Sequence, residues 1–181
     1  MRIDNSKRLK FRLMDIDDAQ ALWTLDQDPE VMKYLNGGTP TSMELVNSTF
    51  IPRMEKYRDS DKGWGIWQVS DKVTDEYLGW VLIRPMSFFT DSPNFSDLEL
   101  GWRFFQSTWG KGYATEAAIA IKDAVVANSD VTHVSALAVA DNLASVGVMK
   151  KIGMNFVRAY LHKDPIGDFD AVHYQMSVTK C

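Results

Sequence analysis

Short segments in which apolar residues alternate with polar ones, or run together, predict seven β-strands. In the clearest case, Leu98–Phe105, apolar side chains occupy one face, and Glu99, Gly101 and Arg103 occupy the other. Turn residues bound each segment, which supports its assignment as a strand. The other six predicted strands are Leu9–Leu13, Gly63–Asp71, Tyr77–Met86, Val131–Val139, Asn155–His162 and Ala171–Val178.

Between these segments, apolar residues recur every three or four positions, the spacing of a helix that buries one face. The stretch Gly112–Asn128 is the longest, and its alanines would let it lie close to a sheet. A short helix is predicted from Pro29, a favourable first-turn residue. Another is predicted from Thr41 or Ser42 and is weakened at Pro52. Two further helices are predicted in Asp15–Asp28 and Asp141–Gly153.

The order of these elements predicts the fold class. One strand is followed by helices, then three strands, a helix, a strand, a helix and two strands. This order predicts an α/β (α+β) architecture, a mixed sheet with helices on its faces. A length of 181 residues without a linker rich in Pro, Gly or Ser predicts a single domain over residues 1–181.

Composition and charge narrow the classes of function. The formal net charge is −4, which offers no basic footprint for nucleic acid. The one cysteine, Cys181, permits no internal disulfide, and the histidines lack metal-ligand spacing, so no metal site is predicted. No secretory signal and no apolar run of about 20 residues is found, so we expect a cytoplasmic protein without a membrane span.

The stretch "TWGKGYATEA", Thr108–Ala117, places two glycines between a predicted strand and a predicted helix. A helix N-terminus carries unpaired N–H groups and a positive dipole end, and glycine lets an anion approach the backbone. The stretch therefore suits a diphosphate, or it uses glycine simply to turn. A dinucleotide-binding fingerprint fails because Thr115 stands at its third glycine position, and a P-loop pattern is absent.

The stretch from Leu98 to Phe156 resembles the GNAT superfamily of acyl-CoA N-acyltransferases, in particular the RimJ/RimL branch of ribosomal-protein N-acetyltransferases. The family pattern Q/R-x-x-G-x-G/A corresponds to Trp109–Ala114, with Trp109 in place of Gln or Arg. The segment "DNLASVGVMKKIGMNF" is similar to a second motif of the branch. The resemblance implies a GNAT fold with a mostly antiparallel sheet of about seven strands that splays to form a cofactor slot.

The resemblance also implies acetyl-CoA as cofactor and assigns residues to its binding. The backbone amides that would hold the diphosphate belong to Gly110, Lys111, Gly112, Tyr113, Ala114 and Thr115. Trp102 and Phe104 would pair their backbone with the pantetheine arm. Asn142 would contact the cofactor across the slot, or serve as an ordinary helix N-cap.

Two residues are candidates for proton transfer on the same resemblance. Glu99 would take the proton of the attacking amine through water, or would form a salt bridge to Arg103. The family's tyrosine acid is replaced by Met149, and Ser145 would protonate the leaving thiolate in its stead, or contact the cofactor. The alternative for Ser145 is a surface hydroxyl that bonds its own helix.

The reaction implied is direct attack of a primary amine on the thioester in a ternary complex. The chain has no cysteine nucleophile before its last residue, which argues against a covalent acyl-enzyme. The favoured acceptor is a protein N-terminal amine, such as that of a ribosomal protein. The alternatives are a small amine (polyamine, amino acid or drug) and a non-catalytic CoA-binding module. A homodimer is expected from the branch. Phe88, Phe89 and Phe95 line the acceptor cleft, dock a partner, or pack locally.

Overall fold

A computed structural model of the chain describes residues 1–164 and 167–179, and Cys181 lies outside the described residues. Its central feature is a seven-stranded sheet in the order β1-β2-β3-β4-β5-β7-β6. All neighbouring pairs are antiparallel except β4 and β5, which confirms the predicted mixed, mostly antiparallel sheet. The strands are β1 Leu9–Leu13, β2 Gly65–Asp71, β3 Tyr77–Met86, β4 Asn94–Phe104, β5 His133–Val139, β6 Asn155–His162 and β7 Phe169–Ser177.

Strand β4 begins at Asn94, four residues before the start predicted at Leu98. Asn94 is drawn into the sheet because it pairs with Met86 at the end of β3, after a register shift. The start of this strand is exposed and mostly polar, so apolar and polar residues do not alternate there and the sequence pattern does not mark it as strand.

The parallel pair β4–β5 stays together over a short stretch. Asp97, Leu98 and Glu99 pair with His133–Ser135, whereas both strands continue, to Phe104 and Val139. The sheet is therefore open beyond Glu99, as predicted. Phe105 donates its N–H to Leu78 on the β3 side, and backbone groups alternate in direction along a strand. The N–H groups of Leu100, Trp102 and Phe104 consequently point toward the gap.

Helices cover both faces of the sheet. A 3₁₀ turn over Ile16–Asp18 leads into the first helix. The predicted helix from Thr41 or Ser42 begins with Ser42 as its N-cap and contains a π-helical stretch, Val46–Phe50, just before Pro52. Proline removes a hydrogen bond and clashes with the preceding turn, so the helix widens there. The helices are α1 Ala19–Leu25, α2 Pro29–Asn36, α3 Met43–Leu45, α4 Ile51–Tyr57, α5 Tyr113–Ala127 and α6 Leu143–Lys151.

Two apolar clusters hold these layers together. The larger one lies between the sheet and α5, where Ala117, Ala118 and Ile121 are fully buried. The two alanines let α5 approach the sheet closely, as predicted. The smaller cluster packs α1 and α4 on the opposite face, the face that carries Glu99.

A buried polar network lies where β4, β5 and β7 meet. Asp97 Oδ2 accepts hydrogen bonds from Ser135 Oγ (2.8 Å) and Gln175 Nε2 (2.9 Å). His173 Nε2 lies 2.9 Å from Ser135 Oγ. Because the Ser135 hydroxyl gives its hydrogen to Asp97, His173 must donate to Ser135 through a protonated Nε2. The network links three strands just before β4 and β5 separate.

The buried position of His173 predicts a pH dependence of stability. Burial lowers the pKa of the imidazole below its ordinary 6.5, with Arg158 acting in the same direction and Asp97 opposing them. The unfolded chain therefore binds a proton at a higher pH than the folded chain does, and acidification favours unfolding. We expect the free energy of unfolding, measured in urea, to fall as the pH drops from neutral through 6.5. His173→Asn should flatten that slope, and an unchanged slope in this variant would exclude His173 as its source.

Candidate active site

The gap between β4 and β5 opens into a cleft of about 410 Å³. Strand β4, the glycine turn, the first turn of α5, one side of α6 as far as Lys151, and one side of α2 bound it. Most of the predicted cofactor residues come together here, although they are separated by up to 40 positions in the chain. Those lining the cleft are Trp102, Phe104, Gly110, Gly112, Tyr113, Ala114, Thr115 and Asn142, and Ser145 joins them. Lys111 is not part of the lining.

The glycine turn presents a row of unused backbone donors. Gly110 and Gly112 have φ values of 74° and 78°, in the left-handed region that other residues rarely adopt. Within the described part of the chain, no N–H from Gly110 to Thr115 donates a hydrogen bond; the next one, of Glu116, bonds to the Gly112 carbonyl at 3.0 Å. A side-chain cap is missing from α5 as well. These donors and the helix dipole form an anion site.

Trp109 ties the glycine turn to the central strand. Its indole Nε1 donates to the Phe104 carbonyl at 2.9 Å. This bond gives a structural reason for tryptophan at a position where the family pattern has Gln or Arg. It also occupies one lone pair of the Phe104 carbonyl and leaves the N–H of that residue directed toward the gap.

Asn142 lies across the cleft from β4. Its Oδ1 accepts a hydrogen bond from Ser145 N at 3.1 Å, so it is the N-cap of α6. Its Nδ2 donates to no other group among the described residues, and the side chain borders the cleft. The Ser145 hydroxyl forms no bond to its own helix in the described structure, in contrast to the alternative raised for it.

Glu99 is the last β4 residue that pairs with β5, so its side chain lies where the strands part. It is ion-paired, with Arg84 and not with Arg103. Arg84 Nε and Nη2 lie 3.0 and 2.9 Å from the same oxygen, Glu99 Oε2. Arg103 pairs instead with the buried carboxylate of Asp26. Residues four apart on a strand are about 13 Å apart, whereas Arg84 is directly opposite Glu99 on β3.

Aromatic side chains surround the Glu99–Arg84 pair. The guanidinium of Arg84 lies 5.1 Å from the ring centre of Tyr57, whose burial raises the pKa of its hydroxyl to about 12. Phe88 and Phe89 pack edge-on against Tyr57 at 5.9 and 6.0 Å. Phe95 stacks on Trp64 at 6.0 Å. Each of these three phenylalanines therefore packs on a local aromatic partner, and Phe88 and Phe89 lie on the side of the site next to Glu99.

Comparison with known proteins identifies the family. A family model described as an acetyltransferase (GNAT) domain matches residues 8–155. The chain belongs to the GNAT acetyltransferase family. It is accordingly an acetyl-CoA-dependent N-acetyltransferase. The Bacillus subtilis (strain 168) protein named "Uncharacterized protein YkkB" is 34% identical over 154 residues, 82% of this chain and 83% of that protein.

Two solved GNAT structures share the fold. RimL, described as a ribosomal L7/L12 alpha-N-protein acetyltransferase and solved with coenzyme A, has a TM-score of 0.74 and 16% identity over 98% of each chain. The aminoglycoside acetyltransferase AAC(6′)-Ib, solved with coenzyme A and kanamycin, has a TM-score of 0.72 and 14% identity, covering 93% of this chain and 94% of that one. At 16% and 14% identity, these two comparisons establish a shared fold and no more.

The cleft of this GNAT protein suits acetyl-CoA in three respects. The row of free amides from Gly110 to Thr115 fits a diphosphate. The exposed edge of β4 beyond Glu99 fits an extended amide arm, because strand backbone pairs with amides. A Cβ atom added at Gly110 would have no other atom within 4 Å, so the space above the turn is open.

Sequence reasoning missed several residues of the site. The side of α2 facing the cleft contributes Glu30, Val31, Tyr34 and Leu35. The start at Pro29 was predicted, but no local signal tells which partner a short helix covers. Arg84 was missed because only the β3–β4 register brings it to Glu99. Arg8, which contacts the glycine turn, lies 108 positions from its partner Glu116.

Within residues 1–164 and 167–179, no group of three or more His, Cys, Asp or Glu side chains is placed to hold a metal ion. Among the described helices, none has the length and apolar character that crossing a membrane requires.

Two substitutions of Asn142 separate helix capping from cofactor contact. Asn142→Asp keeps an oxygen that caps α6 but removes the Nδ2 donor, so stability should hold while acetyl-CoA affinity falls about tenfold. Asn142→Ala should show the same loss of acetyl-CoA affinity and, because the cap is also removed, a decrease of about 1 kcal/mol in the free energy of unfolding. Calorimetric titration and urea unfolding measure the two effects. Unchanged affinity in both variants would reduce Asn142 to a helix cap.

Proposed function

We propose that the protein acetylates the N-terminal α-amine of a protein or peptide, as the RimJ/RimL branch of the family does. A ribosomal protein is one such acceptor, which a cytoplasmic enzyme would meet. The observation that carries the proposal is the charge balance around Glu99. The similarity of the glycine turn and of the α6 segment to that branch supports it, as does the likeness in fold to RimL.

Three carboxylates on the Glu99 side of the sheet are each paired with an arginine. Glu99 pairs with Arg84, and Asp26 with Arg103. Asp164, in the segment before β7, pairs with Arg53 at 2.5 Å. A polyamine or an aminoglycoside carries several positive charges and calls for an acidic cleft. Because Glu99, Asp26 and Asp164 are already charge-paired, they favour an acceptor with one reacting amine over a polycation.

Glu99 is the group we assign to proton removal. Arg84 occupies its Oε2, which fixes the carboxylate and leaves Oε1 as the acceptor for an amine proton, relayed by water. A protein α-amine, with a pKa near 8, is about a tenth neutral at pH 7, whereas a lysine amine, with a pKa near 10.4, is almost entirely charged. Removing the proton from an N-terminal amine therefore asks less of the Glu99 carboxylate than removing it from a lysine.

Backbone and hydroxyl groups complete the chemistry. Acetyl-CoA, when bound, supplies the thioester that the amine attacks. The N–H of Leu100 or Trp102, both directed into the gap, would donate to the carbonyl oxygen as it gains charge. Ser145 borders the cleft with its hydroxyl free of its own helix and would donate a proton to the thiolate.

A small amine remains the second candidate function. AAC(6′)-Ib, whose structure holds kanamycin, matches this chain in fold nearly as well as RimL does. A CoA-binding module without turnover is the third, because Met149 stands where many relatives place a tyrosine acid.

A panel of acceptors distinguishes these functions. Thiol release from acetyl-CoA should be fastest, by about tenfold in kcat/KM, with peptides bearing a free N-terminal amine. The matched control is the same peptide with a blocked N-terminus and an internal lysine. Faster turnover with spermidine or kanamycin would contradict the peptide proposal. An absence of turnover across the panel, with micromolar acetyl-CoA binding and no ATP or NAD binding, would favour the non-catalytic module.

Glu99→Gln tests the assigned base. The amide keeps the shape of the side chain but cannot accept the proton, so kcat should fall about tenfold or more. Acetyl-CoA affinity, measured by calorimetry, should stay the same because Glu99 lies outside the cofactor cleft. Wild-type turnover in this variant would remove Glu99 from the mechanism.

A further inference from the structure

Arg8, which precedes β1, reaches the underside of the glycine turn. Its Nε lies 2.7 Å from Glu116 Oε2, and its Nη1 donates to the Lys111 carbonyl at 2.9 Å. The guanidinium also lies over the Tyr113 ring, 4.4 Å from its centre. One side chain thus contacts the loop, the first helical residue and the first turn of α5.

The bond to Lys111 sets the direction of a backbone donor. In a planar trans peptide, the C=O of one residue and the N–H of the next point in opposite directions. Because Arg8 holds the Lys111 carbonyl on the β1 side, the N–H of Gly112 is directed away from Arg8. Gly112 lines the cleft on that other side. Gly112, on the C-terminal side of this peptide, has a φ of 78° and no Cβ, so its side of the peptide is free to turn when no contact fixes it.

The bond to Glu116 neutralises a charge in an unfavourable place. A carboxylate in the first turn of a helix suits the dipole but repels an anion bound at the same helix end. Burial acts to raise the pKa of Glu116, but hydrogen bonds from Ser6 and Arg8 outweigh it and lower the pKa, so the group is ionised. Ser6 Oγ (2.7 Å) and Arg8 N (2.9 Å) bond the carboxylate without changing its charge. The guanidinium of Arg8 supplies the balancing positive charge.

We propose that Arg8 is a positioning residue for the cofactor diphosphate: it orients the Lys111–Gly112 peptide toward the cleft and cancels the charge of Glu116. Arg8 does not line the cleft, so it acts through the loop and not by contact. The inference rests on the acetyl-CoA dependence of the family and is independent of the acceptor.

Calorimetric titration with acetyl-CoA tests the role. Arg8→Ala should raise the dissociation constant of acetyl-CoA about tenfold or more. This is the loss of affinity expected when the charge-assisted hydrogen bond to Lys111 and the ion pair with Glu116 are removed. Arg8→Lys should fall between Arg8→Ala and the wild type, because one ammonium cannot bond Glu116 and the Lys111 carbonyl as the guanidinium fork does. With any acceptor that turns over, KM for acetyl-CoA should rise while kcat at saturation stays within about twofold.

Arg12→Ala is the matched control. Arg12 lies on β1, four residues after Arg8, and is ion-paired with Asp18 at 2.5 Å, away from the glycine turn. The Arg12→Ala variant should bind acetyl-CoA with the affinity of the wild type. Wild-type affinity in Arg8→Ala, or an equal loss in Arg12→Ala, would overturn the proposal.

A double substitution isolates the charge of Glu116. Arg8→Ala with Glu116→Gln removes the carboxylate that Arg8→Ala leaves uncompensated, so it should bind acetyl-CoA more tightly than Arg8→Ala alone. Equal affinity of the two variants would overturn the charge part of the proposal. Should Arg8→Ala fail to fold, Arg8→Lys and Glu116→Gln, compared by urea unfolding and titration, decide the question in its place.

Discussion

The separation of β4 from β5 after Glu99 is the constraint on which the site depends. Before that point the strands are paired, and Asp97, Ser135 and Gln175 join them by buried hydrogen bonds. Beyond it, β4 keeps β3 on one edge and offers its other edge to a ligand. The same parting places the Glu99 side chain at the inner end of the gap. The separation of the two strands therefore has two consequences: it leaves an edge of β4 free for the cofactor, and it places the candidate base, Glu99, beside that edge.

Buried ion pairs then position the elements around this gap. Asp26, 1% exposed, accepts from Arg103 on β4 and from Thr41 Oγ1 at 2.9 Å. Asp26 comes just before α2 and Thr41 comes after it, so the two ends of the α2 segment are fastened together and to the central strand. A buried pair contributes little net stability, but removing one partner is costly. Its value here is geometric, since it places the cleft-facing side of α2.

Local patterns in the sequence predicted the elements well and their partners poorly. The period of two located β3 at Tyr77–Met86, and the glycines at 110 and 112 predicted a turn that the structure places in left-handed geometry. Such patterns tell which face a side chain occupies, but not which strand lies beside it. The pairing of Glu99 with Arg84 depends on register between strands, and that of Arg8 with Glu116 on how β1 meets α5. Both are products of tertiary packing, which a single sequence does not encode at short range.

The lysine of "WGKGYA" shows how the site handles charge. A cation between two glycines suggests direct contact with phosphate, yet Lys111 does not line the cleft. At the glycine turn the groups that face the cleft are neutral amides at a helix N-terminus, and the positive charge of Arg8 lies beneath the turn. Two basic residues, Arg103 and Lys151, also line the cleft, and Arg103 is paired with Asp26. Neutral donors held in place by the fold need little reorganisation when an anion arrives, whereas a flexible lysine must be ordered. At the turn itself, a diphosphate would therefore be bound by oriented peptide groups, with no need for the side chain of Lys111.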